Sequence, residues 1–124
     1  VISGVIDMIT SDHNPIDIEH KKVEFSAAKN GTIGLESCFG AINSVLSLEE
    51  SIEALTTKPR AIFDLETNTI AVGEKADISL FNPKLIYTFN KENIFSTSKN
   101  SAFLGKELKG KAYGIFANNK LVIL

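Results

Sequence analysis

The sequence predicts an α/β chain: the closing strand and helices of a barrel of alternating strands and helices, followed by a small β region. Three observations predict it. An apolar run near the start, Val5, Ile6, Met8 and Ile9, stops abruptly at Ser11-Asp12-His13-Asn14-Pro15, as a buried strand does where it reaches an edge that needs polar side chains. Three helical patterns follow between positions 35 and 65. After Asn68 the composition turns to strand formers separated by Gly, Asn and Pro. A lone strand with three helices has no sheet for the helices to cover, whereas the end of a barrel supplies one.

In the first element, Pro15 has no N–H for a ladder and biases Asn14 away from helix, so the chain leaves the strand there. Asp12 and His13 are thereby placed at a strand's C-terminal end, where such barrels collect catalytic and metal-binding side chains. Residues 16–30 are charged and aperiodic, long for a connection, and read as either a functional loop or a mobile one. Gly31 and Gly34 bracket Thr32-Ile33 and suggest a tight path into a helix. From Leu35 the apolar residues Cys38, Phe39, Ile42, Val45 and Leu46 fall at helical spacing.

Ser47-Leu48-Glu49-Glu50 has the form of a capping box, opening a second helix with Ile52 and Leu55 inward. A third, short helix is expected with Pro59 in its first turn, Thr57 or Lys58 as its cap, and Ala61, Ile62, Phe63 and Leu65 on its packing side. About five strands follow: 69–72, a turn at Gly73, 77–81, a break at Asn82-Pro83, 85–89, then 111–116 and 121–124 around the tight turn Asn118-Asn119. Residues 91–110 read as loop.

Composition bounds the function. The 124 residues make one domain at most, and a 44% hydrophobic fraction with a mean hydropathy of +0.07 is ordinary for a soluble protein. A formal charge of -2 supplies no basic field for nucleic acid, and no apolar run approaches the roughly 18 to 20 residues that cross a bilayer. The single cysteine, Cys38, reads as a buried, reduced thiol in a cytoplasmic protein. The chain begins with Val1 without signal-peptide character, which points to a piece of a longer polypeptide.

The run Ile9-Thr10-Ser11-Asp12-His13-Asn14-Pro15, followed by Gly31-Thr32-Ile33-Gly34-Leu35-Glu36, resembles the last barrel strand and following helix of dihydroorotases, members of the amidohydrolase superfamily. Thr57-Lys58-Pro59-Arg60-Ala61-Ile62-Phe63 is similar to the short helix that closes their barrel. Val72-Gly73-Glu74-Lys75-Ala76-Asp77-Ile78-Ser79-Leu80-Phe81, Ser98-Lys99-Asn100-Ser101-Ala102-Phe103 and the final hairpin are similar to their C-terminal β region. The resemblance implies a (β/α)₈ barrel with zinc at its mouth, interconverting N-carbamoyl-L-aspartate and dihydroorotate in pyrimidine synthesis. Residues 1–66 would be the last part of the barrel and 67–124 the C-terminal β region.

On pattern alone, Asp12 also reads as a carboxylate that caps a loop. The resemblance makes it the group that contacts the metal and serves as general base, then general acid. His13 becomes a supporting residue, and Asn30 and Gly31 become substrate-binding residues. Glycines before a helix more often serve the turn, but they also let backbone amides approach a ligand. His20, in a charged loop, reads as solvated. The other ligands that the resemblance implies, a His-x-His pair, a bridging lysine and two histidines, fall upstream of Val1. With Asp12 and two histidines as its candidate ligands, this chain alone is expected to hold no zinc and turn over no substrate, since a catalytic zinc needs about three protein ligands. Ile16 stands where the resemblance would put a second histidine for the substrate carboxylate, and Lys29-Asn30-Gly31 replaces a Pro-Phe-Gly element. The alternative is therefore a non-catalytic scaffold that assembles with a partner such as aspartate carbamoyltransferase. The remainder of its own barrel is the expected partner. Self-association is expected through the face of Leu35, Phe39, Ile42 and Leu46.

Overall fold

The computed structural model describes residues 1–67 and 69–124. Asn68, where the change of composition begins, lies outside the described residues. The helices begin with α1, Leu35–Asn43. The second, α2, Leu48–Ile52, opens on the expected capping box: the Glu50 amide donates to Ser47 Oγ at 3.2 Å and the Ser47 amide to Glu50 Oε2 at 2.9 Å.

The expected third helix forms, with Pro59 in its first turn and Thr57 at its N-cap position, and it follows the second without a break. A π-helical turn, Glu53–Thr57, carries the chain directly into α3, Lys58–Ile62, and Thr57 is itself helical with no capping bond. A proline ring inside a continuous helix clashes with the preceding turn and removes a hydrogen bond, and a widened turn before Pro59 accommodates both defects.

Among the described residues three strands form instead of about five: β1, Ile78–Thr88, β2, Glu107–Ala117, and β3, Lys120–Ile123, in one antiparallel sheet of that order. Asn118 and Asn119 both take positive φ, 50° and 58°, the backbone of a two-residue hairpin turn whose twist matches the strands. The break expected at Asn82-Pro83 interrupts the pairing and leaves the strand continuous. Asn82 pairs with Lys111 and the ladder resumes at Ile86 opposite Lys109, so Pro83, which has no N–H to offer, falls in the unpaired stretch. Residues 69–72 form a turn into Gly73 (φ 93°), with the Glu74 amide on Ala71 O at 3.2 Å, and belong to no ladder.

The expected first strand, residues 5–9, likewise has no ladder among the described residues, and Val5 and Ile6 are 82% and 54% exposed. A barrel strand needs a neighbour on each side, and these residues supply none; Ile9 N–H instead donates to Ala54 O at 3.0 Å.

The helix α1 lies on β2 through only part of the apolar face that its spacing suggested, Ile42 and Phe39. Its buried residues are Ser37, Gly40, Ile42 and Asn43, while Leu35 and Val45 are 63% and 77% exposed. Close approach is what selects this face. A Cβ on Gly40 would come within 2.9 Å of Gly110 O, and Asn43 Nδ2 donates to Pro83 O and Lys109 O, both at 2.9 Å, filling the gap in the β1/β2 ladder. Phe39 meets Phe81 edge to face at 4.9 Å between centroids. Cys38 is half-buried and not buried as expected, and burial still pushes its thiol up. Ile33, just ahead of α1, packs with Phe89, Ile94 and Leu108 into one core, which seats the glycine-containing turn on the sheet.

Candidate active site

Two stretches separated by the long loop meet at the start of α1. The Asn14 amide donates to Thr32 O at 2.9 Å, and Gly34 presses so closely on Ser11 that an added Cβ would lie 2.2 Å from Ser11 O. Gly34 has an ordinary φ of -134°, so this position requires glycine for approach. Gly31 is different: its φ of 135° is hard for any L side chain, and its Cβ would also meet Ile16 Cγ1 at 2.7 Å and Asn14 Nδ2 at 2.9 Å.

In this turn Asp12 is exposed and takes a positive φ of 42°, a conformation that asparagine and aspartate tolerate better than other L residues. His13, next to it, is half-buried and points its Nδ1 at the amino end of α1, accepting from the Gly34 and Leu35 amides at 3.2 Å each. The N-cap position is Gly34, which has no side chain to cap the helix, so His13 supplies from the loop what the helix lacks. Asn30 is exposed and makes no side-chain hydrogen bond among the described residues. Gly31 carries its carbonyl to Asn100 Nδ2 at 3.0 Å. The structure thus gathers Asp12, His13 and Gly31 around one turn, with Asn30 at its edge. His20 is exposed in a short 3₁₀ turn, Ile18–His20.

The residues 96–102 stitch this turn from behind. Ser98 Oγ donates to Ile16 O at 2.8 Å, the Ile33 amide to Asn100 O at 2.9 Å, and the Ala102 amide to Thr32 Oγ1 at 3.1 Å. Ser96 donates to Glu36 Oε1 through its amide at 2.8 Å and through its hydroxyl, and its Oγ lies 3.5 Å from His13 Nε2. Burial pushes the Glu36 carboxyl up, but the Ser96 hydroxyl and amide and its own amide outweigh this and hold it below its ordinary 4.5. Glu36 and Ser96 had no assigned role in the sequence. Nothing in their spacing, sixty positions apart, signals that they meet.

No family model matches the sequence. Curated dihydroorotases match it nearly end to end: that of Endomicrobium trichonymphae is 40% identical over 126 residues, covering 96% of this chain and 30% of the relative. That of Chlorobaculum tepidum is 36% identical over 126 residues, covering 97% and 29%. Among solved structures, the D-hydantoinase (dihydropyrimidinase) from Thermus sp. superposes with a TM-score of 0.82 at 26% identity, over 98% of this chain and 29% of that one. The L-hydantoinase (dihydropyrimidinase) from Arthrobacter aurescens gives 0.78 at 25% identity, with the same coverage. The chain belongs to the amidohydrolase superfamily. It corresponds to a C-terminal portion of these amidohydrolases and spans about 29% of the length of most of the curated relatives it matches. The α/β character and the antiparallel sheet agree with that portion of the amidohydrolase structures.

Among the described residues, no group of three His, Cys, Asp or Glu side chains stands close enough to hold a metal ion. His13 Nδ1 is committed to two amides, which leaves Asp12 as the carboxylate of the turn among the described residues. These residues do not by themselves fit a zinc ion, which takes about three protein ligands in a catalytic site.

Proposed function

We propose that this chain is the C-terminal part of a cyclic amide hydrolase of the dihydroorotase type, and that Asp12 is the general base it contributes. The observation that carries the reading is the match to curated dihydroorotases over 96–97% of the chain. It is supported by the placement of Asp12, an exposed carboxylate in a turn fixed on both sides by Gly34 against Ser11 and by His13 on the α1 amides. In that role Asp12 takes a proton from the attacking water and returns it to the ring nitrogen as the amide C–N bond breaks. The substrate carried by the reading is dihydroorotate, a six-membered ring with an amide bond to open, and zinc would be held mostly by donors outside these 124 residues. Asn30 and Gly31, at the rim of the same turn, are proposed to border the substrate.

Ile16 favours a second reading, a non-catalytic scaffold. Its side chain packs toward Gly31, its carbonyl accepts from Ser98, and it brings no charge or donor to the rim. One experiment separates the two. The full-length polypeptide is purified with zinc, its metal content is measured and dihydroorotate ring opening is followed. Turnover that disappears in Asp12→Asn is expected. A folded, full-length protein with no turnover of dihydroorotate overturns the enzyme reading and leaves the scaffold.

A further inference from the structure

The hydrogen bonds behind Asp12 leave no freedom in where their protons sit. A ring nitrogen that accepts from two amides carries no proton, so the Gly34 and Leu35 amides on His13 Nδ1 require the ring's proton to be on Nε2. At the other end, an ionised Glu36 can only accept. The Ser96 hydroxyl and amide both donate to its Oε1, while Oε2 is buried with no partner among the described residues. With its proton turned to Glu36, Ser96 Oγ presents lone pairs to the His13 Nε2–H, 3.5 Å away. Glu36 sits in the first turn of the helix whose amides His13 caps, so the chain of bonds closes on itself: α1 holds both ends, and Ser96 is the link from the C-terminal region.

We propose that Ser96 and Glu36 are positioning residues that lock His13 in its Nε2–H tautomer against the start of α1 and, through it, hold Asp12 in the left-handed conformation from which it works. The inference rests on the reading of Asp12 as general base. A positive φ at a residue with a Cβ persists only when its surroundings over-determine it. The residue following Asp12 is anchored at two ring atoms, and Ser98 and Asn100 stitch the same turn from the same side. Residues 96–102 therefore act as a brace for the turn, and the C-terminal region contributes to the site without touching substrate.

The test uses the full-length polypeptide labelled with ¹⁵N-histidine. Correlation spectra of His13 are expected to show an unprotonated Nδ1 and a protonated Nε2. In Glu36→Leu the Ser96 hydroxyl loses its acceptor and is free to donate to His13 Nε2 in competition with the two amide bonds to Nδ1, so the Nε2–H form is expected to lose its dominance. Turnover should fall about tenfold in kcat with KM changed less than twofold. Glu36→Gln is expected to restore both, because an amide oxygen accepts the same two bonds. Ser96→Ala, a smaller change, is expected to lower kcat in the same way and keeps the test open where Glu36→Leu does not fold. A wild-type His13 in the Nδ1–H form, an unaltered spectrum and kcat in Glu36→Leu and Ser96→Ala, or no rescue by Gln overturns the proposal. Asp12→Asn distinguishes it from the underlying reading: turnover is expected to vanish while the His13 spectrum stays as in wild type. A wild type without turnover defeats the general-base reading, and the spectra still decide the lock.

Discussion

Gly34→Ala is the sharpest perturbation of the proposed site, because one methyl group is added where the backbone conformation is permissive and the space is not. The φ of -134° is open to alanine, so no conformational strain enters. The new Cβ would lie 2.2 Å from Ser11 O, whereas carbon and oxygen meet comfortably no closer than about 3.3 Å. The obstacle is a backbone carbonyl, and a rotamer change cannot move it aside. About 1 Å of displacement must be shared between the start of α1 and the turn, and overpacking against such a neighbour costs about 3 kcal/mol, the upper end of the usual range. Ser11 immediately precedes Asp12, so the carboxylate moves as well, and a 1 Å misplacement of a catalytic group costs about 10²-fold in rate. Two measurements on the full-length protein read this: a melting temperature lowered on the order of 5 °C, and a kcat for dihydroorotate opening lowered about 10²-fold. Gly73→Ala is the control. Its φ of 93° strains alanine by about 1–2 kcal/mol, yet among the described residues nothing lies within 4 Å of its Cβ, so stability falls a little and turnover stays. A Gly34→Ala protein that melts and turns over like wild type would refute the argument that close packing of α1 on Ser11 sets the position of Asp12.

Asn43→Leu removes, from a residue only 3% exposed, the two hydrogen bonds donated to the Pro83 and Lys109 carbonyls; a loss of about 1–3 kcal/mol is expected by chemical denaturation. A neutral result would show that the ladder gap does not need the helix. The Glu36 carboxyl is held below its ordinary 4.5 in the fold, so its stabilising contribution is present above that value and is lost as pH falls through the folded value. The difference in melting temperature between wild type and Glu36→Gln is therefore expected to hold steady above 4.5 and to shrink below it, and a difference that grows on acidification contradicts the assignment. The 124-residue chain by itself exposes Val5, Ile6, Val45, Ile62 and Phe63. Apolar surface of this kind associates, so sedimentation is expected to find oligomers, and a purely monomeric chain contradicts this.

What the amino-acid pattern makes legible here are features decided by neighbours in sequence. Ser47 and Glu50 cap each other across three residues, and two consecutive asparagines fold the last hairpin, because each needs only its own backbone and a short side chain. The buried face of α1 was legible only in part, at Phe39 and Ile42, for a physical reason. Apolar spacing identifies a face that buries carbon, but this helix approaches the sheet closely, and what close approach rewards is a missing side chain at Gly40 and a two-fold donor at Asn43. The expected strands at 5–9 and 69–72 read well as sequence and join no ladder among the described residues, since a ladder is a property of two segments and each is only one. The site divides along the same line. Asp12 and His13 stand out because polar residues interrupt an apolar run, whereas Ser96 and Glu36 are ordinary residues in ordinary polar company, and their meeting leaves no period to detect. The two glycines make the point most clearly. In sequence Gly31 and Gly34 look alike, yet one is required by a left-handed φ and the other by a carbonyl oxygen 2.2 Å from where its Cβ would be. A screen of Gly31→Asn against Gly34→Asn would separate them. At position 31 asparagine meets a φ of 135°, far from the left-handed region near about +57° that it tolerates, and is strained there, while at position 34 it is as obstructed as alanine. Since any Cβ at Gly31 still meets Ile16 and Asn14 side chains, which can shift, the expected order of stability is wild type, then Gly31→Asn, then Gly34→Asn, and the reverse order would mean that the backbone conformation at Gly31, and not the closeness of α1 to Ser11, controls the turn that holds Asp12.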